Sequence, residues 1–308
     1  MRIDVIIPVY KPGPELFTLL DRLEKQTMAV QNIILMNTEE KYFEKSALDG
    51  NRYMEEHKKI KVYHLSRKEF DHGGTRHMGV EHSDAEVFLT MTQDAIPADR
   101  NLVKRLVQGL TGNVAVAYAR QLPSKNSGEL ERIARAFNYP EISCIKTEED
   151  IKTLGIKTFF CSNVCAAYRR DIYDELGGFI RHTIFNEDMI YAAGAVKAGY
   201  SIAYQADARV IHSHNYTNLQ QLKRNFDLGV SQADHPEIFS GVNSESEGKK
   251  LVGEAWRRLR AKKQLYRFPE FLVQCCFKYA GYLLGKHYRM LPRKGVLALT
   301  NNRDYWGQ

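Results

Sequence analysis

The hydrophobic positions fall into short runs separated by amphipathic or polar stretches. Residues 3–10 (IDVIIPVY) are apolar and β-branched and end at Lys11-Pro12-Gly13-Pro14, the pattern of a buried strand entering a loop. Leu16, Leu19, Leu20 and Leu23 then recur at helical spacing. Apolar runs at 33–36 and 60–65 follow, the second after a charged helical segment. Strand, helix, strand, helix, strand predicts the opening of a parallel α/β sheet.

Residues 73–83 predict a helix leaving a glycine-rich turn, and 86–92 (EVFLTMT) the next strand, which ends at Gln93-Asp94-Ala95-Ile96-Pro97. Ligands of open α/β sheets sit beyond the carboxyl ends of the strands, and Tyr10, Asn37 and Asp94 fall there. Residues 98–158 read as a variable connection with one helix, a short strand at 114–119 and a charged stretch. Residues 158–168 are strand-like, 171–176 a short helix closed by Gly177-Gly178, and Asn186-Glu187-Asp188 starts a further helix. Short strands are expected at 202–204 and 208–214. From Asn218 onward the pattern is helical, broken by Pro236, Pro269 and Pro292. The expectation is an α/β domain over 1–230 with a mostly parallel sheet flanked by helices, and a basic helical extension over 231–308.

Composition supports a folded chain: 308 residues, 44% hydrophobic and 26% charged with 9 prolines, exclude a disordered or collagen-like protein. The net charge of +7 is unevenly spread, because residues 249–308 hold 14 Lys and Arg against 3 acids and leave the rest slightly acidic. Such a tail suits an anionic membrane surface or nucleic acid, or is a solvated helix face. The five cysteines, Cys144, Cys161, Cys165, Cys275 and Cys276, show no CxxC spacing, which argues against a zinc or disulfide framework and for a reducing cytoplasm. The N-terminus lacks a signal-peptide pattern, and no run reaches the ~18 apolar residues of a membrane span.

Four polar groups carry candidate chemistry. Asp94, just past a central strand, suits a hard divalent cation bridging a diphosphate, or caps the helix expected near Ala98. In Glu69-Phe70-Asp71-His72-Gly73-Gly74-Thr75-Arg76-His77, two glycines before a helix can offer backbone N–H groups to an anion, with Arg76 adding a charged fork. The spacing is neither a dinucleotide fingerprint nor a P-loop. Asp188 is either a first-turn stabiliser or a general base. His212 and His214, two apart on an expected strand, share one face and can reach one cation. Apolar residues crowd 271–284 with Lys278, Lys286 and Arg289 among or beside them, as in a helix that lies on a membrane or docks on the domain.

Taken in order, IIPVYKPG (6–13), EFDHGGTRHMG (69–79), LTMTQDAIP (89–97), SNVCAAYRRDIYDELGGF (162–179), FNEDMIYA (185–192) and HSHNYT (212–217) resemble glycosyltransferase family 2, and its rhamnosyltransferase branch most. The resemblance covers about residues 3–230 and implies a GT-A type Rossmann-like fold. It implies a nucleotide-sugar donor, dTDP-L-rhamnose, a lipid-linked glycan acceptor and a metal motif for Mg²⁺ or Mn²⁺; with the cysteine pattern and the basic tail, the expectation is a cytoplasmic enzyme peripheral on the inner membrane surface rather than a nucleic-acid binder. Pro8, Val9, Tyr10, Asn37 and Thr38 match the nucleotide-binding strand ends, and Asp71, Gly73, Gly74 and Arg76 the segment approaching base and diphosphate. Gln93 and Asp94 lie in the metal-motif segment. Asp94 matches the second carboxylate of the DxD motif, whose first position is Thr92 here, so His212 and His214 stand as replacement ligands. Asp188 matches the catalytic base, with Glu187 beside it, and Arg224 or Lys223 would help hold the departing diphosphate. The rival classes are a family 2 enzyme using a UDP-hexose, a nucleotidyltransferase, whose glycine-rich N-terminal phosphate loop is missing here, and a non-catalytic binder of anionic polymers.

Overall fold

Nine strands form one mixed sheet in a computed structural model that describes residues 1–44, 53, 56–241 and 245–307. They are β1 (Ile3–Tyr10), β2 (Asn32–Thr38), β3 (Ile60–Leu65), β4 (Val87–Met91), β5 (Ile96–Pro97), β6 (Val114–Leu122), β7 (Cys144–Lys146), β8 (Cys165–Arg169) and β9 (Ser201–Ile211). The order is β3-β2-β1-β4-β8-β6-β9-β5, with β7 also on β9. Strands β1 to β4 are mutually parallel, β8 runs antiparallel between β4 and β6, and β9 is parallel to β6. Every central strand is buried on both faces, so its sequence reads as a continuous apolar run rather than an alternation. Ile3, Val5, Ile7 and Val9 of β1 face one layer, with Leu16, Leu19, Leu20 and Leu23 of helix Pro14–Glu24. Ile6, Ile34 and Phe88 face the other, which holds Val80 of helix His72–Glu81 and Ala192, Ala195 and Val196 of helix Glu187–Lys197.

Several boundaries differ from expectation. Of the charged helical segment before β3, Glu40–Glu44 is helix, and residues 45–52, 54 and 55 lie outside the described residues. The 158–168 run is a strand only from Cys165; Gly155–Phe159 is a 3₁₀ turn, and Thr158, Phe159 and Cys161 are buried without joining a ladder. The two strands expected at 202–204 and 208–214 are one, β9, which stays paired to β6 through an irregularity at Ala119/Arg120 and stops at Ile211. His212 and His214 therefore stand in the loop beyond the strand. No helix begins at Ala98: Ile96–Pro97 pairs with β9, and the next helix, Leu102–Gln108, follows Asn101. The expected variable connection is also more ordered, holding a nine-residue β6 and helix Glu129–Asn138.

Pro236, Pro269 and Pro292 stand at helix starts, where the missing N–H costs nothing. Helix Asn218–Asp234 runs unbroken through residue 230 and lies along helix Phe268–Lys286. The contact is backbone to backbone. A Cβ at Gly281 would strike the Leu222 carbonyl oxygen, and one at Gly285 the Phe226 carbonyl oxygen.

Candidate active site

Two groups of polar side chains meet at the carboxyl ends of β4, β6 and β9. In the first, Asp94 Oδ2 lies 3.5 Å from His212 Nε2 and 3.2 Å from His214 Nε2, and the two imidazole nitrogens are 3.0 Å apart. One carboxylate oxygen and two ring nitrogens thus converge as one ligand set. Asp94 faces these rings rather than capping a helix. The tautomer of His212 follows from its other nitrogen: Nδ1 is 2.9 Å from Gln121 Oε1, an acceptor, so Nδ1 carries the proton and Nε2 keeps its lone pair. The Gln121 amide is itself held, its Nε2 donating to Tyr139 Oη at 2.5 Å and Ser162 Oγ at 3.0 Å, while Arg135 donates to Oε1. Burial pushes His212 down to about 3 and also lowers His214, with Arg224 and Arg135 adding to the effect. Neutral imidazoles are the form that binds metal.

The second group is Glu187 and Asp188 at the start of their helix. Asn186 precedes them in the left-handed region at φ 67°, a conformation asparagine tolerates better than most residues. Asp188 Oδ2 accepts from the Asn163 backbone N–H at 2.9 Å and Oδ1 from the Met189 N–H at 2.8 Å. Burial, and then the neighbouring Glu187 carboxylate, raise Asp188 to about 7, although the residue keeps some exposure to solvent. Glu187 goes the other way. Burial opposes its ionisation, but Arg76 at 3.0 Å, His72 and the Asn163 amide outweigh that and hold it below the usual glutamate range. A pair of adjacent carboxylates is thereby split into a fixed anion and a proton acceptor near neutrality.

One loop joins the groups. Ser162 accepts from the Gln121 amide that orients His212, and the next residue, Asn163, donates to both Asp188 and Glu187. Asn163 is fixed in turn by Thr90 Oγ1 and Tyr168 Oη, each 2.6 Å from its Oδ1.

The remaining expected residues are placed as follows. Tyr10 and Gln93 clamp the ends of β1 and β4: the Tyr10 N–H donates to Gln93 Oε1 at 2.9 Å, and Gln93 Nε2 to the Tyr10 carbonyl at 3.1 Å. Pro8 and buried Val9 precede them in β1. Asn37 bonds His64 Nδ1, and its Oδ1 is buried without a partner among the described residues, as is Thr92 Oγ1. Tyr10, Thr38, Phe70, Asp71 and His72 line a pocket of about 210 Å³.

In the glycine segment the anion reading is corrected. Asp71 caps helix His72–Glu81, with Oδ1 accepting from the Gly74 N–H at 2.6 Å, and it also accepts from the His182 and Thr183 N–H groups. The Gly74 amide is therefore not offered to a ligand. Gly73 is required by a close approach, since a Cβ there would strike the Ile180 carbonyl oxygen. Arg76 is buried against Glu187 and the His72 carbonyl rather than reaching outward. Arg224 is exposed, its guanidinium 4.8 Å from the Phe185 ring, and close enough to depress both histidines. Residues absent from the sequence-based set are Gln121, Ser162 and Asn163, and the far C-terminal Asn301, Asn302, Asp304 and Tyr305, which form the opposite wall of the pocket. Ser162-Asn163 stands inside a motif already singled out; the C-terminal residues carry no local signal.

Residues 4–177 match the family model for glycosyl transferase family 2. Over 311 aligned residues the chain is 39% identical to the O-antigen chain rhamnosyltransferase RfbN of Salmonella typhimurium, spanning 99% of this chain and 96% of that protein. It is 38% identical to the O-antigen chain rhamnosyltransferase WbaN of Salmonella anatum, across 98% and 95%. The fold is similar to that of a Pyrobaculum calidifontis mannosyltransferase solved with GDP-Man and Mn²⁺, at TM-score 0.55, 17% identity and 99% and 84% coverage. It is also similar to that of S. aureus TarS solved with UDP-GlcNAc, at TM-score 0.52, 13% identity and 94% and 92% coverage.

Proposed function

Because the chain belongs to glycosyl transferase family 2 and is a GT-A glycosyltransferase of polysaccharide synthesis, we propose that it transfers L-rhamnose from dTDP-L-rhamnose to a hydroxyl of a lipid-linked glycan at the cytoplasmic membrane surface. The observation that carries this reading is the loop Ser162-Asn163, which holds the Asp94/His212/His214 ligand set and the Asp188 carboxylate in one hydrogen-bonded frame. The rhamnosyl donor is supported by the near full-length similarity to two rhamnosyltransferases.

Asp94, His212 and His214 would hold a divalent cation. One carboxylate and two imidazoles suit Mn²⁺ better than Mg²⁺, which prefers an all-oxygen shell. When bound, the ion neutralises charge gathering on the departing nucleoside diphosphate. Arg224 adds a positive field beside it. Asp188 takes the proton from the acceptor hydroxyl as its oxygen bonds to the anomeric carbon and the bond to the diphosphate breaks. Glu187, kept anionic by Arg76, maintains the raised proton affinity of Asp188. The nucleoside belongs against Tyr10, Thr38 and Asp71, where the pocket lies; Asn37 is buried behind them and outside its lining.

One base and one displacement invert the anomeric centre, so a β-linked donor gives an α-L-rhamnoside. NMR of the product tests this. An α-linkage is expected, and a β-linkage would refute the single-displacement mechanism.

A further inference from the structure

Helix Phe268–Lys286 carries apolar side chains over most of its circumference, interrupted by Glu270, Gln274 and Lys278 in the sector of its two glycines, and this is more than docking on one side requires. Its inner side, with Phe271, Gly281 and Gly285, is buried, and the two glycines seat it on helix Asn218–Asp234. Among the described residues, nothing covers its outer side. Leu272, Val273 and Tyr279 are 38%, 47% and 50% exposed, and Cys276 and Ala280 are exposed with them. At 100° per residue these five positions form one stripe, roughly three turns long, without a charged residue. The charges gather at its two ends. Arg260, Lys263 and Arg267 precede it, with Trp256 and Tyr266 exposed beside them, and Lys286, Arg289, Arg293 and Lys294 follow. Among the described residues, neighbouring Arg257, Arg258, Lys262 and Arg289 have carboxylate partners, whereas Arg260, Lys263, Lys286 and Lys294 have none.

We propose that this face is a docking surface for an anionic lipid bilayer, with the stripe sunk into the headgroup boundary and the terminal cations on lipid phosphates. The inference rests on the reading that the acceptor is lipid-linked and names the surface that brings the enzyme to it. Charge decides between a bilayer and a second copy of the chain. Both ends of the stripe are cationic, so two copies paired parallel or antiparallel would set cations against cations, whereas an anionic bilayer satisfies both ends. No described helix is long and apolar enough to cross a membrane, which fits a helix lying in the interface.

The test is co-sedimentation of the full chain with vesicles of phosphatidylcholine alone or with added phosphatidylglycerol, alongside hydrolysis of dTDP-L-rhamnose in solution. The chain should sediment only with the anionic vesicles. Leu272→Glu with Val273→Glu should weaken binding by about tenfold or more, and Lys286→Glu with Lys294→Glu should weaken it and flatten its salt dependence, both with donor hydrolysis unchanged. Failure to sediment with anionic vesicles, or equal sedimentation of the Leu272/Val273 variant, would overturn the proposal. So would a dimer in light scattering that this variant dissociates, which would assign the stripe to a second copy. Lost vesicle binding with intact hydrolysis rejects the surface and leaves the transferase standing; intact binding with no hydrolysis rejects the donor reading instead.

Discussion

Asp188 shows how much a single carboxylate depends on its neighbours. The proposed base role requires it to be ionised, and burial with the Glu187 charge raises it to about 7. The rate should therefore fall below about pH 7, approaching about tenfold per pH unit, and level off above. A profile flat down to pH 5 would remove Asp188 from the base role. Asp188→Asn keeps the shape and removes the base, so kcat should drop by about 100-fold or more with donor affinity little changed, as read by single-turnover kinetics and donor titration. Gln121→Leu should loosen His212 and weaken Mn²⁺ affinity by about 10–100-fold, measured by metal titration of activity. The convergence of Asp94, His212 and His214 and the place of Glu187 and Asp188 at a helix start were legible from strand ends and residue types, although the two histidines stand in the loop after Ile211 rather than on the expected strand. The partners of Asp71 and Arg76 were not. A run such as DHGGTR announces charge near a helix start, but only the fold says that Arg76 turns inward to Glu187 and that Asp71 caps its own helix.

At the scale of elements, the parallel half of the sheet could be read directly, because strands buried on both faces give unbroken apolar runs. The same rule misled at 158–168, where an apolar run is an irregular buried segment; a run of apolar residues reports burial, not backbone conformation. β9 was divided because Gln205-Ala206-Asp207 interrupts the apolar pattern, yet the pairing with β6 absorbs the break at Ala119/Arg120. Gly281 and Gly285 of the 268–286 helix are packing positions. Gly281→Val would place a branched side chain against the Leu222 carbonyl and should cost about 1–3 kcal/mol or more. Urea denaturation measures this; an unchanged midpoint would mean that the two helices do not need to approach so closely.

Across the whole molecule, the last residues return to the site. Thr300 Oγ1 donates to the buried Asp227 carboxylate at 2.6 Å, and the Asn301 N–H donates to it at 3.0 Å. Asp304 pairs with Arg67 at 2.5 Å, and Tyr305 stacks on His182 at 4.7 Å. These ties close the pocket whose other wall is Tyr10, Thr38 and Asp71. Removing residues 300–308 should raise the donor KM several-fold more than it lowers kcat; an unaltered KM would separate this wall from donor binding. No local pattern could have announced these contacts, since they join positions from 73 to 237 residues apart. The most direct test of the central claim is a donor panel with the purified protein, with Mn²⁺ and with the metal chelated, following release of the nucleoside diphosphate. Metal-dependent turnover of dTDP-L-rhamnose above UDP-glucose, UDP-galactose, UDP-GlcNAc and GDP-mannose is expected. Turnover of dTDP-L-rhamnose that persists without metal would contradict the Asp94/His212/His214 site, and turnover of another donor alone would contradict the rhamnosyl assignment.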